Sequence, residues 1–428
     1  MGAVLVPTNP LLTGDELKYV LGHARPRLSV TEPALLDALI EAGASEILVA
    51  RSEAPGAPSF EAAMESAGEM PEVELEPTDV AAIMYTSGTT SRPKGVCITH
   101  ANYLFVGEVV AQHLRMQQGD RMMIVLPLFH ANAQYYSTMS ALVTGASISV
   151  AERFSASRWP RQVARHGATL ASLFAAPIRM ILAQERDPID ADNNLRAVIF
   201  SQNVSEEQLA EFESRFGCPL LQLYGMTETV APPTLNPLFG ERRNMSIGRP
   251  TLPASLRVVD EDDRDVPTGE VGQLLVAGVP GVTLMAGYLD DPDATDAAIR
   301  DGWLHTGDNV RADPDGYLYF VDRGRDMIKR AGENVSAGEV ESVINSHPAV
   351  FDSAVIGVPD SMRDESVAAF VVLLEDRELS AAELTEWCAS RLAKFKVPTQ
   401  MEFVDSLPRT SVGKIQKERL RRQASDLK

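Results

Sequence analysis

Thr86-Ser-Gly-Thr-Thr-Ser-Arg-Pro-Lys-Gly95 follows the apolar run Val80-Ala-Ala-Ile-Met-Tyr85 and precedes another, Val96-Cys-Ile98. Both runs read as short buried strands, so the loop joins strand to strand and opens no helix. It holds five small hydroxyl residues, two glycines, a proline and a lysine. Gly88 lets the backbone approach a ligand closely. Exposed N–H groups, the hydroxyls of Thr86, Ser87, Thr89 and Thr90, and the Lys94 ammonium before Gly95 can then surround a polyphosphate. The spacing is not that of a Walker loop, because Gly88 is not followed four residues on by Gly-Lys-Ser/Thr. A plain Ser/Thr/Gly turn is the competing reading of this loop taken alone.

Composition narrows the surroundings. A chain of 428 residues predicts two to three domains with a sizeable core. No apolar run reaches the length of a membrane span, and no basic stretch precedes the short apolar N-terminus. Three widely separated cysteines argue for a reducing, cytoplasmic setting and against a disulfide framework or zinc site. The net charge of −20 disfavours a broad nucleic-acid surface, yet allows a local basic pocket for a nucleotide. The sequence does not fix the oligomeric state, and a homodimer is one reading.

Strand-like and helix-like pieces alternate through the first half. Thr13–Leu21 reads as a capped helix, and Leu28–Val30 and Ile47–Ala50 as short buried strands. Met122–Leu126, Ala146–Ala151 and Ala197–Phe200 read as strands, with amphipathic helices at Phe154–Gly167 and Ser205–Phe216. This alternation predicts an α/β fold with a parallel sheet covered on both faces and a ligand site at the strands' carboxyl ends. From Ser255 to Tyr288, short strands split by Asp/Gly/Pro turns predict a small antiparallel barrel or sheet. The last hundred or so residues read as a separate small α+β domain ending in a basic tail. It has helices at Ser336–Ser346 and Ala381–Ala393 and strands at Phe351–Val358 and Val367–Leu374.

Further motifs follow the loop in fixed order: Pro127-Leu-Phe-His130, Tyr224-Gly-Met-Thr-Glu228, Gly302-Trp-Leu-His-Thr-Gly-Asp308, Asp322-Arg-Gly-Arg-Asp326 and Pro408-Arg-Thr-Ser-Val-Gly-Lys414. With this set the chain resembles the adenylate-forming superfamily of acyl-CoA synthetases, peptide-synthetase adenylation domains and luciferases. The resemblance implies a large AMP-binding domain over 1–322, a hinge at 323–325 and a mobile α+β lid over 326–428. It implies that a carboxylic acid attacks ATP to give acyl-AMP and pyrophosphate, after which the thiol of coenzyme A displaces AMP. The family begins with a further helix-strand-helix portion, so the chain reads as N-terminally truncated relative to it.

The resemblance also implies residue roles. The 86–90 hydroxyls and Lys94 hold the β- and γ-phosphates, Glu228 binds Mg²⁺, and Thr227 reaches the α-phosphate. Tyr224 stacks on adenine beside Gly225 and Met226. Asp308 accepts the ribose hydroxyls, as a carboxylate can from two donors at once, and Arg323 adds a further contact. Lys414 bridges the carboxylate and the α-phosphate. Arg325 is the pivot about which the lid turns, and Lys329, Arg330 and Gly332 then face the coenzyme A tunnel. Phe129, His130 and Gln134 line the acyl pocket.

Met327–Ser336, Val358–Glu365 and Ala393–Pro398 resemble crotonobetaine/carnitine-CoA ligases and neighbouring acyl-CoA synthetases. A trimethylammonium substrate would call for an aromatic cage, to which Tyr135 and Tyr136 could contribute; a medium, branched or unsaturated acyl group is the other reading. The Gly-Gly-Ala-Pro run many relatives carry near adenine is replaced by Ser201-Gln-Asn-Val204. Two alternatives stand beside the ligase: a non-catalytic nucleotide- or acyl-binding remnant, and an adenylating enzyme that stops at acyl-AMP, oxidises it in luciferase fashion or delivers it to a carrier protein. Replacing Lys414 by alanine should slow acyl-AMP formation by about 10²–10³ and slow thioester formation from supplied acyl-AMP far less. Equal losses in separately measured half-reactions would remove the assignment.

Overall fold

A computed structural model describes residues 2–51, 56–66, 68–69, 72–86, 93–323, 327–330, 333–360, 364–409 and 415–426. Ser87, Gly88, Thr89, Thr90, Arg325, Gly332 and Lys414 lie outside the described residues, as do the side chains of Arg323 and Lys329.

Val80–Tyr85 and Gly95–Thr99 pair antiparallel as a hairpin, and Gly287–Tyr288 adds a third strand beside Gly95–Thr99. The Thr86 N–H donates to the Lys94 carbonyl at 3.0 Å, which closes the base of the loop. The loop is therefore carried between two strands, as its flanking apolar runs predict.

The largest sheet has seven strands. Five run parallel in the spatial order Ser147–Val150, Arg121–Ile124, Leu170–Phe174, Ala197–Ser201, Leu220–Tyr224. Thr234–Leu235 and Arg249–Pro250 extend it antiparallel. Leu170–Phe174 and Leu220–Tyr224 are buried along their whole length. Neither stands out in the sequence, because Leu170–Phe174 runs without a break into the apolar helix Ala175–Leu182 and offers no change of period. Cover on both faces is confined to the middle of the sheet, since Ile148 and Val150 on the edge strand are exposed. The strands expected to be buried near the N-terminus also differ. Ser29–Thr31 and Ile47–Val49 form a two-stranded sheet of their own, and Leu28 and Val30 are 49% and 52% exposed. A two-stranded sheet has too little area to cover both of its faces.

The barrel-like region is a five-stranded antiparallel sheet. Leu256–Val259, Val271–Ala277 and Trp303–Ala312 lie side by side, and Ile299–Arg300 and Leu318–Arg323 also pair with Trp303–Ala312. Its buried Leu274, Val276, Leu304 and Val310 join the core of the parallel sheet.

The small domain is a second five-stranded sheet. Val350–Asp360 and Asp364–Leu373 are its long strands, flanked by the hairpin Met327–Arg330/Glu333–Ser336 and by Gln400–Phe403. Alternation divides its residues. Val355, Val367 and Val371 pack with Val340, Ile344 and Leu384 of helices Ala337–Asn345 and Ala381–Ala389. Ala354, Ile356, Ala368 and Phe370 pack with Leu420 on the opposite face. The expected basic tail is in fact a helix, Lys417–Asp426, because Leu420 supplies it with an apolar anchor. Ser336 caps the first helix and donates to the Val321 carbonyl at 2.7 Å, tying this domain to the last strand of the large one.

Arg215 and Asp190 form a buried ion pair at 2.6 Å. The guanidinium also donates to the carbonyls of Ile181, Gln184 and Glu185, closing the end of helix Ala175–Leu182. Arg215→Ala leaves the Asp190 carboxylate and these carbonyls without that donor. The expected cost is about 3–5 kcal/mol, read as a lower urea midpoint for the large domain.

Candidate active site

The strand Leu220–Tyr224 ends in a turn that carries Gly225, Met226, Thr227 and Glu228. Thr229 shapes the turn. Its hydroxyl accepts the Met226 N–H at 3.1 Å and donates to the Met226 carbonyl at 2.9 Å. Thr227 is half-buried, and its carbonyl accepts the Val230 N–H at 3.3 Å. At Gly225 the size of the residue decides. A Cβ there would stand 2.2 Å from the hydroxyl of Tyr136.

Gly302-Trp-Leu-His-Thr-Gly reads as a tight loop presenting Asp308, but that residue lies inside the ten-residue strand Trp303–Ala312. The reason is a bulge. His305 pairs with Leu275 and Asn309 with Gln273, so Thr306–Asp308 oppose a single residue. Gly307 supplies the positive φ, +70°, that the bulge needs. The bulge re-aims Asp308, whose buried carboxylate accepts the Tyr224 hydroxyl at 2.6 Å. Two motifs 84 residues apart thus meet at one hydrogen bond. Arg323 sits opposite Asp308 in the ladder to Leu318–Arg323.

Glu228 is buried, and its Oε1 accepts the Tyr288 hydroxyl at 3.0 Å. Lys94 Nζ stands 4.4 Å from the centroid of the Tyr288 ring. Burial, and then the Glu228 carboxylate, push the Tyr288 phenol well above its ordinary range, so it stays a donor. The chain therefore brings the end of the 86–95 loop and Glu228 to the two sides of one tyrosine. Tyr288 is missed by sequence reasoning, since Ala286-Gly-Tyr-Leu289 has no motif; only its pairing with Val96 places it here.

Phe129 and His130 lie beside Phe174, with ring centroids 6.1 Å apart for both the Phe129–His130 and the His130–Phe174 pairs. Gln134 is held at both ends of its amide: it accepts from Tyr103 at 2.5 Å and donates to the Leu128 carbonyl. It belongs to a π-helical stretch, Asn132–Met139, a rare wide turn that is frequent at functional sites. Tyr135 and Tyr136 are buried within it, and burial pushes both phenols well above their ordinary range. Tyr135 packs against Tyr103 and Tyr136 at 5.7 and 6.5 Å. Arg330 is buried, and its Nη1 donates to the carbonyls of Phe395, at 2.5 Å, and Val397.

Residues 1–289 match the family described as AMP-binding enzyme, and residues 339–414 match the AMP-binding enzyme C-terminal domain. The chain belongs to the AMP-binding enzyme family. It is 39% identical to the crotonobetaine/carnitine–CoA ligase of Salmonella enteritidis PT4 over 98% of this chain and 84% of that protein. Its fold is similar to the anthranilate CoA ligase AuaEII in complex with anthranoyl-AMP, with a TM-score of 0.91 at 27% identity over 100% and 83% of the two chains. MatB from Rhodopseudomonas palustris is 30% identical over 99% and 84% of the two chains; the TM-score is 0.88 for its ATP-bound form and 0.74 for its apo form. The similar proteins named as CoA ligases join an acid to coenzyme A with formation of AMP, and this chain is an acyl-CoA synthetase of that kind. Among its described residues no helix is long and apolar enough to cross a membrane.

Tyr224→Phe removes one hydrogen bond from a buried carboxylate and leaves the ring in place. A bond to a charged group contributes about 1.5–3 kcal/mol, so ATP affinity should fall by roughly tenfold or more. Titration calorimetry with ATP checks this, and unchanged affinity would separate the Tyr224–Asp308 contact from nucleotide binding.

Proposed function

We propose that the acyl-AMP is made at the carboxyl end of Leu220–Tyr224, between the large and small domains. The Tyr224–Asp308 contact carries this reading, because it brings an aromatic ring and a buried carboxylate together at the carboxyl end of a parallel strand, the two groups that an adenine and a ribose call for. Tyr224 stacks on adenine. Asp308 accepts the ribose hydroxyls, with Arg323 beside it. Thr86, Ser87, Gly88, Thr89, Thr90, Lys94 and Gly95 cradle the terminal phosphates. Thr227 donates to the α-phosphate, where Lys414 offsets the charge that develops as the acid's oxygen attacks phosphorus.

The residues around Glu228 fit Mg²⁺. The buried Glu228 carboxylate and Lys94 meet the same tyrosine, Tyr288, and among the described residues no group of three acidic, histidine or cysteine side chains could cage a metal. That suits an ion that takes most of its ligands from phosphate oxygens and water. When bound, it would neutralise charge on the phosphates.

The acid's acyl group packs against Phe129 and His130 above the Gln134 turn. For the second half-reaction the small domain turns about Arg325, and the hairpin Met327–Arg330/Glu333–Ser336 brings Lys329 and Gly332 to the entering thiol. Arg330 braces that hairpin through the Phe395 and Val397 carbonyls. The three thiols, Cys97, Cys218 and Cys388, are free, which suits a cytoplasmic enzyme.

The test is to supply the full chain with ATP, Mg²⁺ and a panel of acids that includes crotonobetaine, carnitine, straight and branched alkanoates, malonate and benzoates, with and without coenzyme A. Pyrophosphate together with a thioester is the expected outcome. Pyrophosphate without thioester would move the reading to an enzyme that delivers its acyl group to a carrier protein. Neither product from folded protein would move it to a binding remnant.

A further inference from the structure

Arg179 and Asp352 form an ion pair across the two domains. Arg179 lies on helix Ala175–Leu182 of the large domain, and Asp352 on the strand Val350–Asp360 of the small one. Arg179 Nη1 meets Asp352 Oδ1 at 2.6 Å, and the two side chains are only 10% and 3% exposed. The same guanidinium donates through Nη2 to the Asn203 carbonyl at 2.8 Å. Asn203 belongs to Ser201–Val204, the segment standing where adenine's edge is expected. One side chain therefore touches both the nucleotide side of the large domain and the body of the small one.

Asp352 is aimed by its strand. The register against Asp364–Leu373 shifts between Val350 and Asp352, a bulge that turns the carboxylate toward the large domain. Its Oδ1 also accepts the Ser353 N–H at 2.9 Å, and its Oδ2 takes the Arg409 guanidinium. Arg409 forms a bridge with Ile415, and the Gln416 N–H donates to the Pro408 carbonyl at 2.8 Å. Close by, Lys417 Nζ meets the half-buried Glu341 carboxylate at 2.9 Å. Thus the chain on either side of residues 410–414 is fastened to the small domain by ion pairs, one of which also reaches the large domain.

We propose that Arg179 and Asp352 are positioning residues for acyl-AMP formation. Their ion pair holds the small domain against the nucleotide edge at Asn203, and it opens before that domain turns to admit the thiol. The proposal rests on the two-step reading above. The physical ground is that a buried, hydrogen-bonded pair has two discrete states. Closed, each charge offsets the other's desolvation. Open, Asp352 keeps Arg409 within the small domain, while the Arg179 guanidinium loses its carboxylate and must be rehydrated. The chain as it stands, with the pair closed, superimposes better on ATP-bound MatB than on apo MatB.

The experiment compares wild type with Arg179→Ala, Arg179→Lys and Asp352→Asn in the full chain. Acyl-AMP formation and thioester formation from supplied acyl-AMP are timed separately, and amide hydrogen exchange is followed along the chain. Arg179→Ala and Asp352→Asn should slow acyl-AMP formation by roughly tenfold or more while thioester formation holds or quickens. Arg179→Lys should recover part of the loss. Exchange should rise at 197–204 and 350–360 and not at the distant Val271–Ala277. Equal slowing of both half-reactions, unchanged acyl-AMP formation, or unchanged exchange at those two segments would overturn the proposal. If wild type forms neither product from any acid, the ligase reading fails on its own, and the exchange pattern alone decides whether the contact holds the domains.

Discussion

The hydrogen bond from Tyr224 to Asp308 is where two different sheets become one site. Tyr224 closes a buried parallel strand, and Asp308 leaves an antiparallel strand at a bulge. Neither group could be placed by its own element alone. The parallel sheet supplies a rigid end at which the backbone stops pairing, as is general for such sheets. The antiparallel sheet supplies the carboxylate, and its bulge sets the direction. The shared core of Leu223, Leu274, Leu304 and Val310 keeps the two sheets in register, so the bond is held by packing as well as by its own strength.

Charge is arranged against the average of the molecule. The chain carries a net −20, yet its substrates are a triphosphate and a carboxylate. Long-range attraction cannot gather them, so local cations must. Lys94 is anchored over the Tyr288 ring, and the hydroxyl of that tyrosine also orients Glu228, so one side chain holds both a cation and an acid. Such an arrangement suits a ligand that brings both phosphate oxygens and a counter-ion. Away from the site the same economy recurs in Arg215 with Asp190 and Arg196 with Asp120, where cations close helix ends and loops rather than bind ligand.

Much of this was legible in the residues. The 86–95 loop announces itself by composition and by strands on both sides, the capped helix expected at Thr13 forms with a capping box, and the amphipathic helix expected at Ser205 forms as well. Other features were hidden for definable reasons. Leu170–Phe174 is masked by the helix that follows it. The Lys417–Asp426 helix is masked by its charge, since a single leucine anchors it. Asp308 resembles a turn residue because Gly307 precedes it, whereas that glycine makes a bulge within a strand. Arg330 carries the sign of a surface cation and is nonetheless buried against two carbonyls.

From the linear order of residues alone come the strand–loop–strand presentation of the phosphate loop and the α/β class, which depend on local period and turn chemistry, together with a resemblance to a family, carried by the order of its motifs, that implies the reaction. Only the tertiary structure decided that Tyr288 stands between Lys94 and Glu228, that Gly225 must be small because Tyr136 leans on it, and that Asp352 reaches across to Arg179. Those contacts join residues between 60 and 194 positions apart. Chain spacing carries no direction over such separations. It is the register of strands and the packing of buried side chains that bring them to bonding distance.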